Sequence, residues 1–403
     1  MVLGGLAVLA GCSGGSSPTP PAEPPRITVE GVEAGASYEG AVTITVRVEP
    51  SDAAVAVRLN GNRFVSGSTV EAPGSYTLEV EATRGGLRAE ASVSFTVLLG
   101  GDRRLILRMF DLGPEGLGGG GDALLVTDSS AAGMVHGMVD AGPRGEPGGV
   151  LLDGWVADRL RDLGVDTLAF LQLTHAHADH LGGMVPILER IHVERFVTNG
   201  QVRSFFRYQD VLRAAAQHAD TVLVLSEPWV FDLGPGQGAP RTVHLPGLPA
   251  YLGVNTNDGR LINEGSIGTA IEFDGVRLFL TGDGENEAND RWRTAHPALT
   301  GGIDILKVGH HGANNAIFDD RSGVNPTSSW LVHTRPSLFL VTSNGVSHPR
   351  SRALARLLGI EGLDGYCTHV HGNVEVRIAR GVWSVEVERN ADRVCVPGSE
   401  ATT

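Results

Sequence analysis

Lysine is nearly absent: among 32 basic residues Lys307 alone is lysine, and the rest are arginine. Acidic residues outnumber basic ones at 46, for a net charge of −14. So acidic a molecule offers nucleic acid no general electrostatic partner, although a local basic groove is not excluded. Cysteine is scarce too, and none of Cys12, Cys367 and Cys395 stands in a metal-ligand spacing. Long apolar runs are missing. The run Val2 to Ala10 is too short to span a bilayer, and no other stretch comes closer. There is no Ser-His-Asp elbow, Walker loop or dinucleotide fingerprint. Gly118 to Gly121 lacks the lysine and the following helix of a phosphate loop. These absences remove most familiar cofactor and nucleophile chemistries.

At 403 residues the chain can hold two domains with proper cores. Residues 1–12 end in Leu9-Ala10-Gly11-Cys12 and resemble a bacterial lipoprotein signal, with an ordinary cleaved signal as the alternative. That resemblance implies lipid on Cys12, membrane attachment and a location outside the cytoplasm. Residues 13–25, rich in Ser, Gly and Pro, read as an extended tether. From 26 to 98, β-branched alternating segments such as Val42 to Val48 and Tyr76 to Ala82 are separated by turn signals at Asn60-Gly61, Pro73-Gly74 and Gly85-Gly86. About seven short strands predict an all-β, immunoglobulin-like sandwich. This part is similar to bacterial immunoglobulin-like repeats and serves as a spacer or as a binding module for a glycan or protein partner.

Beyond Gly100-Gly101, strands alternate with helix-like segments: Trp155 to Leu163, Met184 to Ile191, Tyr208 to Ala219 and Ser351 to Leu358. The apolar run Leu168 to Thr174 ends in His175-Ala176-His177-Ala178-Asp179-His180, followed by Leu181-Gly182-Gly183. Three histidines and a carboxylate in six positions suit a divalent metal, most simply zinc. His175 and His177, two apart, can grip one ion. Asp179 and His180 can reach a second. Gly182 and Gly183 are expected to give the backbone a tight turn beneath them.

The run resembles the His-x-His-x-Asp-His signature of metallo-β-lactamase-fold hydrolases. Asp140 in Met138-Val139-Asp140-Ala141-Gly142 looks like the aspartate that supports the ligands from behind. Asp283 in Thr281-Gly282-Asp283 looks like the carboxylate shared by two metals, and His310 in Gly309-His310-His311-Gly312 like the last histidine ligand. Finer details resemble the competence-type (ComEC-like) branch: Phe110-Asp111-Leu112-Gly113, Gly121-Asp122-Ala123, Asn263 with Ser266, and Asn344 with His348-Pro349. The resemblance runs from about 103 to 390 and leaves 391–403 as a tail. It implies an α/β metallo-β-lactamase fold, a four-layer αββα sandwich with metals at one edge. Two departures stand out. Pro114 to Gly120 interrupts the first motif, and no histidine precedes the Asp283 strand, where many members place the third ligand of metal one. His348 or His244 is a candidate to complete that site.

The implied chemistry is hydrolysis by a metal-bound hydroxide with two Zn2+, or Mn2+ given two carboxylates. Metal one takes His175 and His177; metal two takes Asp179, His180 and His310, with Asp283 between. Asp179 is expected to orient the hydroxide. Extended backbone would point His310 and His311 in opposite directions, leaving His311 to support a ligand or meet the substrate. His348 is expected to protonate the leaving group or complete metal one. The branch resemblance favours phosphodiesters, nucleic acid or nucleotides among them. A lactam, lactone or other carboxyl derivative is the alternative on the same fold, and a surface binding module with a structural metal is the reading from another class. Lys307 either survives from a coding bias against lysine or meets a substrate anion. Cys367 and Cys395 are either a disulfide tying the tail down or two unrelated thiols. His369 and His371, two apart on an expected strand, read as a chance pair.

Overall fold

The computed structural model describes residues 23–98, 103–113, 120–130, 133–144, 154–236, 238–247, 255–320 and 325–400. The expectations for Cys12, the tether up to residue 22, the interruption at 114–119 and the boundary at Gly100-Gly101 lie outside them. No helix of the described residues is long and apolar enough to cross a membrane.

Two compact units divide the chain. Among the described residues, one gathers those up to 36 with 43–69 and 76–95; the other holds 37–42, 70–75 and those from 96 onward. The region 26–98 is all β. Arg26–Glu30 pairs antiparallel with Thr45–Glu49. Ala54–Leu59 runs antiparallel to Gly74–Arg84 within a five-stranded sheet. Alternation buries Leu78, Val80 and Ala82 on one face and leaves Glu79 and Glu81 outside, as the period of two requires.

The larger unit contains two sheets of nine and seven strands. In the first, Arg104–Met109, Leu124–Ser130 and Gly133–Val139 form an antiparallel meander, joined in parallel by Phe170–Leu173 and His192–Thr198. In the second, Val276–Leu280, Ile305–Lys307, Leu338–Val341 and Asp364–Cys367 run parallel. Parallel neighbours need crossovers, and the helices Asn286–Ala295, Ser329–Thr334 and Ser351–Leu358 lie in them. The last is a clear case of helical spacing, with Ala353, Leu354 and Leu357 buried and charged Arg352 and Arg356 facing away from that stripe.

Three apolar layers hold these elements together. One packs Trp155–Asp162, Met184–Arg190 and Phe206–His218 onto the first sheet through Leu160, Ile187 and Val211. A second fills the space between the sheets with residues such as Leu107, Phe170, Leu278 and Leu340. The third seats Trp292, Trp330 and Leu354 on the far sheet. This is the expected four-layer αββα order. Its strands are near-continuous apolar runs because both faces are covered. The parallel strands also deliver their C-terminal ends to one edge, where Thr174, Thr281, Val308 and Thr342 begin the loops that carry the polar residues.

Candidate metal centre

Strand Phe170–Leu173 ends at Thr174, and the chain turns into the short helix Ala178–Leu181. His175 and His177 lie in that turn, with His175 Nε2 3.0 Å from His177 Nδ1. Asp283 follows strand Val276–Leu280 and is almost fully buried. Its Oδ2 lies 3.7 Å from His175 Nε2, 3.2 Å from His180 Nε2 and 3.4 Å from His311 Nε2. Asp179 Oδ2 is 3.4 Å from His311 Nε2 and 3.8 Å from His180 Nε2. Two donor groups share Asp283, His175–His177–Asp283 and Asp179–His180–Asp283–His311, each with its ligand atoms within 4.8 Å of one another, and a third, Asp122–Asp140–His180, adjoins them through His180.

These residues fit divalent cations on their own chemistry. His180 Nε2, His311 Nε2 and Asp283 Oδ1 are buried with no hydrogen-bond partner, a costly state unless something positive accepts their lone pairs. Behind them the far ring nitrogens are fixed. His180 Nδ1 donates to Asp140 Oδ2 at 2.7 Å, and Asp140 also accepts from the Thr174 amide and hydroxyl at 2.8 and 2.6 Å. His311 Nδ1 donates to the Thr342 carbonyl at 3.0 Å. Such partners set the tautomer and present Nε2 outward.

No protein-family model matches the chain. ComE operon protein 3 of Bacillus subtilis (strain 168) is 24% identical over 227 residues, 56% of this chain and 26% of that protein. The match thus spans about a quarter of that relative's length. Among solved structures, a mutant of the CmlA β-hydroxylase aligns at 16% identity over 68% of this chain and 54% of its own, with a TM-score of 0.41. A diphosphatase from the PhnP family aligns at 13% identity over 68% of this chain and 98% of its own, with a TM-score of 0.37. The layer order, the strand ends and the two donor groups decide the architecture. It is the metallo-β-lactamase fold.

Within this metallo-β-lactamase framework the placement of the last histidine corrects the expectation from sequence. His311 enters the second donor group, and His310 does not. His310 and His311 both adopt left-handed backbone (φ 44° and 53°) in a tight 3-10 turn, Gly309–Gly312. The alternation rule for extended chain does not apply there. His310 turns instead to Glu285, with Nδ1 3.1 Å from Oε1, and Asn263 Nδ2 donates to the same oxygen at 2.8 Å. Glu285, two residues beyond Asp283 and buried, carried no signal in the sequence that set it apart from other acidic loop residues.

The glycines after the motif also differ from expectation. Gly182 and Gly183 have ordinary helical φ values of −61° and −86°. What they require is room: a Cβ on Gly182 would lie 1.9 Å from the Arg144 amide nitrogen, and one on Gly183 2.3 Å from the Ala141 carbonyl oxygen.

His244 lies apart from both donor groups, its Nε2 3.1 Å from Thr242 Oγ1 and its ring against Phe170 and Trp229. Ser266, in the region before the Asp283 strand that holds no histidine, has its Oγ 3.4 Å from His175 Nδ1 and accepts from the Asp283 amide at 3.2 Å. The His348 ring is 5.3 Å from that of His310 and 6.1 Å from that of His311. His369 and His371 belong to a short helix, Thr368–His371, rather than a strand.

The electrostatics divide the centre in two. Burial drives His175 well below the usual histidine value and His177 to about 4, so both are neutral donors. Burial acts the same way on His180 and His311, but the carboxylates of Asp283, Asp140 and Asp179 overcome it. They raise His180 well above its usual value, and Asp283 with Asp179 lifts His311 to about 10. Burial is likewise overcome at Asp283, which the two histidines hold well below the carboxylate range.

Without a cation, then, protons on His180 and His311 balance the carboxylates near neutrality. A raised folded pKa gives stability that is complete below the unfolded value of about 6.5 and is lost as pH rises through about 10. The metal-free chain should therefore lose thermal stability between those limits. Loading with Zn2+ at pH 7.5 should release about two protons per chain and restore the loss. Calorimetry in buffers of different ionisation enthalpy measures the release; none at pH 7.5 would contradict this charge balance.

Proposed function

We propose that the chain is a metal-dependent hydrolase of phosphodiester bonds that works outside the cytoplasm. The observation that carries this reading is Asp283, whose carboxylate belongs to both donor groups. His175 and His177 would hold one cation, and Asp179, His180 and His311 the other, with Asp283 common to both. When bound, such a pair supplies Lewis acidity and lowers the pKa of water, the chemistry used for in-line attack at phosphorus.

The chain's own groups do the positioning. Asp179, held in its charged form by His180 and His311 against the effect of burial, accepts a hydrogen bond from the attacking water and orients it. Arg203 donates to the Ala176 carbonyl between the two histidines and stacks 4.7 Å from the Phe205 ring centroid. It sets positive charge beside His177, where it meets an anionic substrate. Burial, reinforced by His311 and His310, lowers His348 to about 3. It is therefore neutral at working pH and serves the leaving oxygen as an N–H donor, not as a stored proton.

The phosphodiester preference draws on the competence-type motifs and on the similarity to ComE operon protein 3. The net charge of −14 favours the other reading, a lactam, lactone or related carboxyl derivative, because it repels polyanions. The envelope location draws on Cys12 as a lipid attachment site and on the Cys367–Cys395 disulfide, which belongs to oxidising compartments.

The test is metal analysis of the purified chain with turnover of bis(p-nitrophenyl) phosphate, a lactone and a β-lactam. About two divalent ions per chain and phosphodiester turnover abolished by chelation are expected. Turnover confined to the lactone or lactam would overturn the substrate class.

A further inference from the structure

The last described residues are laced onto the loop that carries His348. Strand Leu338–Val341 runs into this irregular loop, which reaches helix Ser351–Leu358 without regular structure of its own. Its backbone groups need partners from elsewhere, and the tail supplies them. The Gly398 amide donates to the Pro349 carbonyl at 3.0 Å, the Ser399 amide to Gly345 at 2.7 Å and the Glu400 amide to Val346 at 2.8 Å. Gly398 sits so close that a Cβ would lie 2.4 Å from the Val346 carbonyl oxygen and 2.9 Å from the His348 amide nitrogen.

The tail is itself held at its base. Cys395 is disulfide-bonded to Cys367, with Cα atoms 5.5 Å apart and both residues buried. Cys367 ends the strand that pairs with Val341, one residue before the loop begins. Two histidines complete the lacing. His371 Nε2 lies 3.0 Å from the Arg393 carbonyl oxygen, and His369 bridges the Val396 carbonyl at 3.1 Å and Ser343 Oγ at 2.6 Å. The pair that reads as chance in the sequence joins the tail to the two ends of this arrangement.

We infer that residues 395–400, anchored by the Cys367–Cys395 disulfide, are a strap that positions His348 over the metal centre, and that opening the disulfide lowers turnover. The inference rests on the hydrolase reading for its kinetic consequence only. Opening is a two-electron step: a dithiol reductant breaks the S–S bond, leaves thiols on Cys367 and Cys395, and is itself oxidised to a disulfide. Among the described residues the strap's hydrogen bonds go to Gly345, Val346, Pro349 and His369, not to the donor groups, so its loss is expected to act on the geometry of His348. Misplacing a group by about 1 Å can cost about a hundredfold in rate.

The experiment uses the full chain, Gly398→Leu, a chain ending at Pro397 and the Cys367→Ala/Cys395→Ala pair. The readouts are amide hydrogen exchange over 343–350, metal content, and kcat and KM on bis(p-nitrophenyl) phosphate. Each variant is expected to exchange faster over 343–350 and to lose about ten- to a hundredfold in kcat with KM and metal content held. Adding His348→Ala to the shortened chain should then cost little more. Unchanged exchange and kcat in Gly398→Leu and the shortened chain would overturn the strap, as would full additivity with His348→Ala. If no substrate is turned over by the unmodified chain, the hydrolase reading fails while exchange over 343–350 still decides the strap.

Discussion

Replacing Asp283 with Ala should lower kcat by about a thousandfold or more and reduce bound metal from about two ions to one or none. A Lewis-acid pair supplies several kcal/mol of transition-state stabilisation, and about 4 kcal/mol is a thousandfold. Asp283 is the one residue common to both donor groups, so its loss touches both ions at once, whereas loss of His177 or His311 touches one. The same carboxylate does most to raise His180 and His311 against burial. Its removal should therefore lower both histidines and shrink the proton release on zinc binding at pH 7.5. Metal content, kcat and proton release must fall together. Normal turnover by Asp283→Ala, or two ions still bound, would remove the dinuclear centre. Asp283→Asn is the control for shape, because it fills the same space without the charge.

The fold and half of this centre were legible because they are written locally. His175, His177, Asp179 and His180 sit within six positions after an apolar run, and the strand that aims them was readable from its length and flanks. Asp283, after Leu278 to Leu280, was legible only through the family resemblance of Thr281-Gly282-Asp283. The choice between His310 and His311 was not. It depends on two consecutive left-handed residues, a conformation ordinary side chains adopt rarely and no spacing rule announces. The third ligand of metal one was sought among histidines from distant loops. Among the described residues neither His244 nor His348 enters the first donor group, which holds His175 and His177 with the Asp283 already expected there, and Ser266 lies 3.4 Å from His175 Nδ1 without offering an imidazole. Contacts made by the tail were beyond reach altogether, since Gly398 and Val346 are joined by tertiary packing alone.

Lys307 is the residue whose sequence reading changes most, and replacing it with Met should destabilise the chain by about 3–5 kcal/mol. It is fully buried, so it cannot meet a substrate anion. Its ammonium donates to the Gly282 carbonyl at 2.9 Å and forms an ion pair with Asp122, itself fully buried. Asp122 also accepts from the Thr342 hydroxyl and lies 3.5 Å from His311 Nδ1. One cation thus ties the residue before Asp283 to the carboxylate behind His311. Methionine matches the stem in length but leaves Asp122 as an uncompensated buried charge, the costly way to break such a pair. Replacing both partners, Lys307→Met with Asp122→Asn, should recover most of the loss, because no net charge then stays buried and the amide can still accept from Thr342. Denaturant melts of the single and double variants measure the coupling. A cost below about 1 kcal/mol for Lys307→Met would mean that water or a shifted side chain compensates Asp122 and that the clamp is weak. The double variant restores charge balance but not the tie to Gly282, so its stability should recover further than its kcat. That difference separates the electrostatic role of Lys307 from its role in holding Asp283 in place.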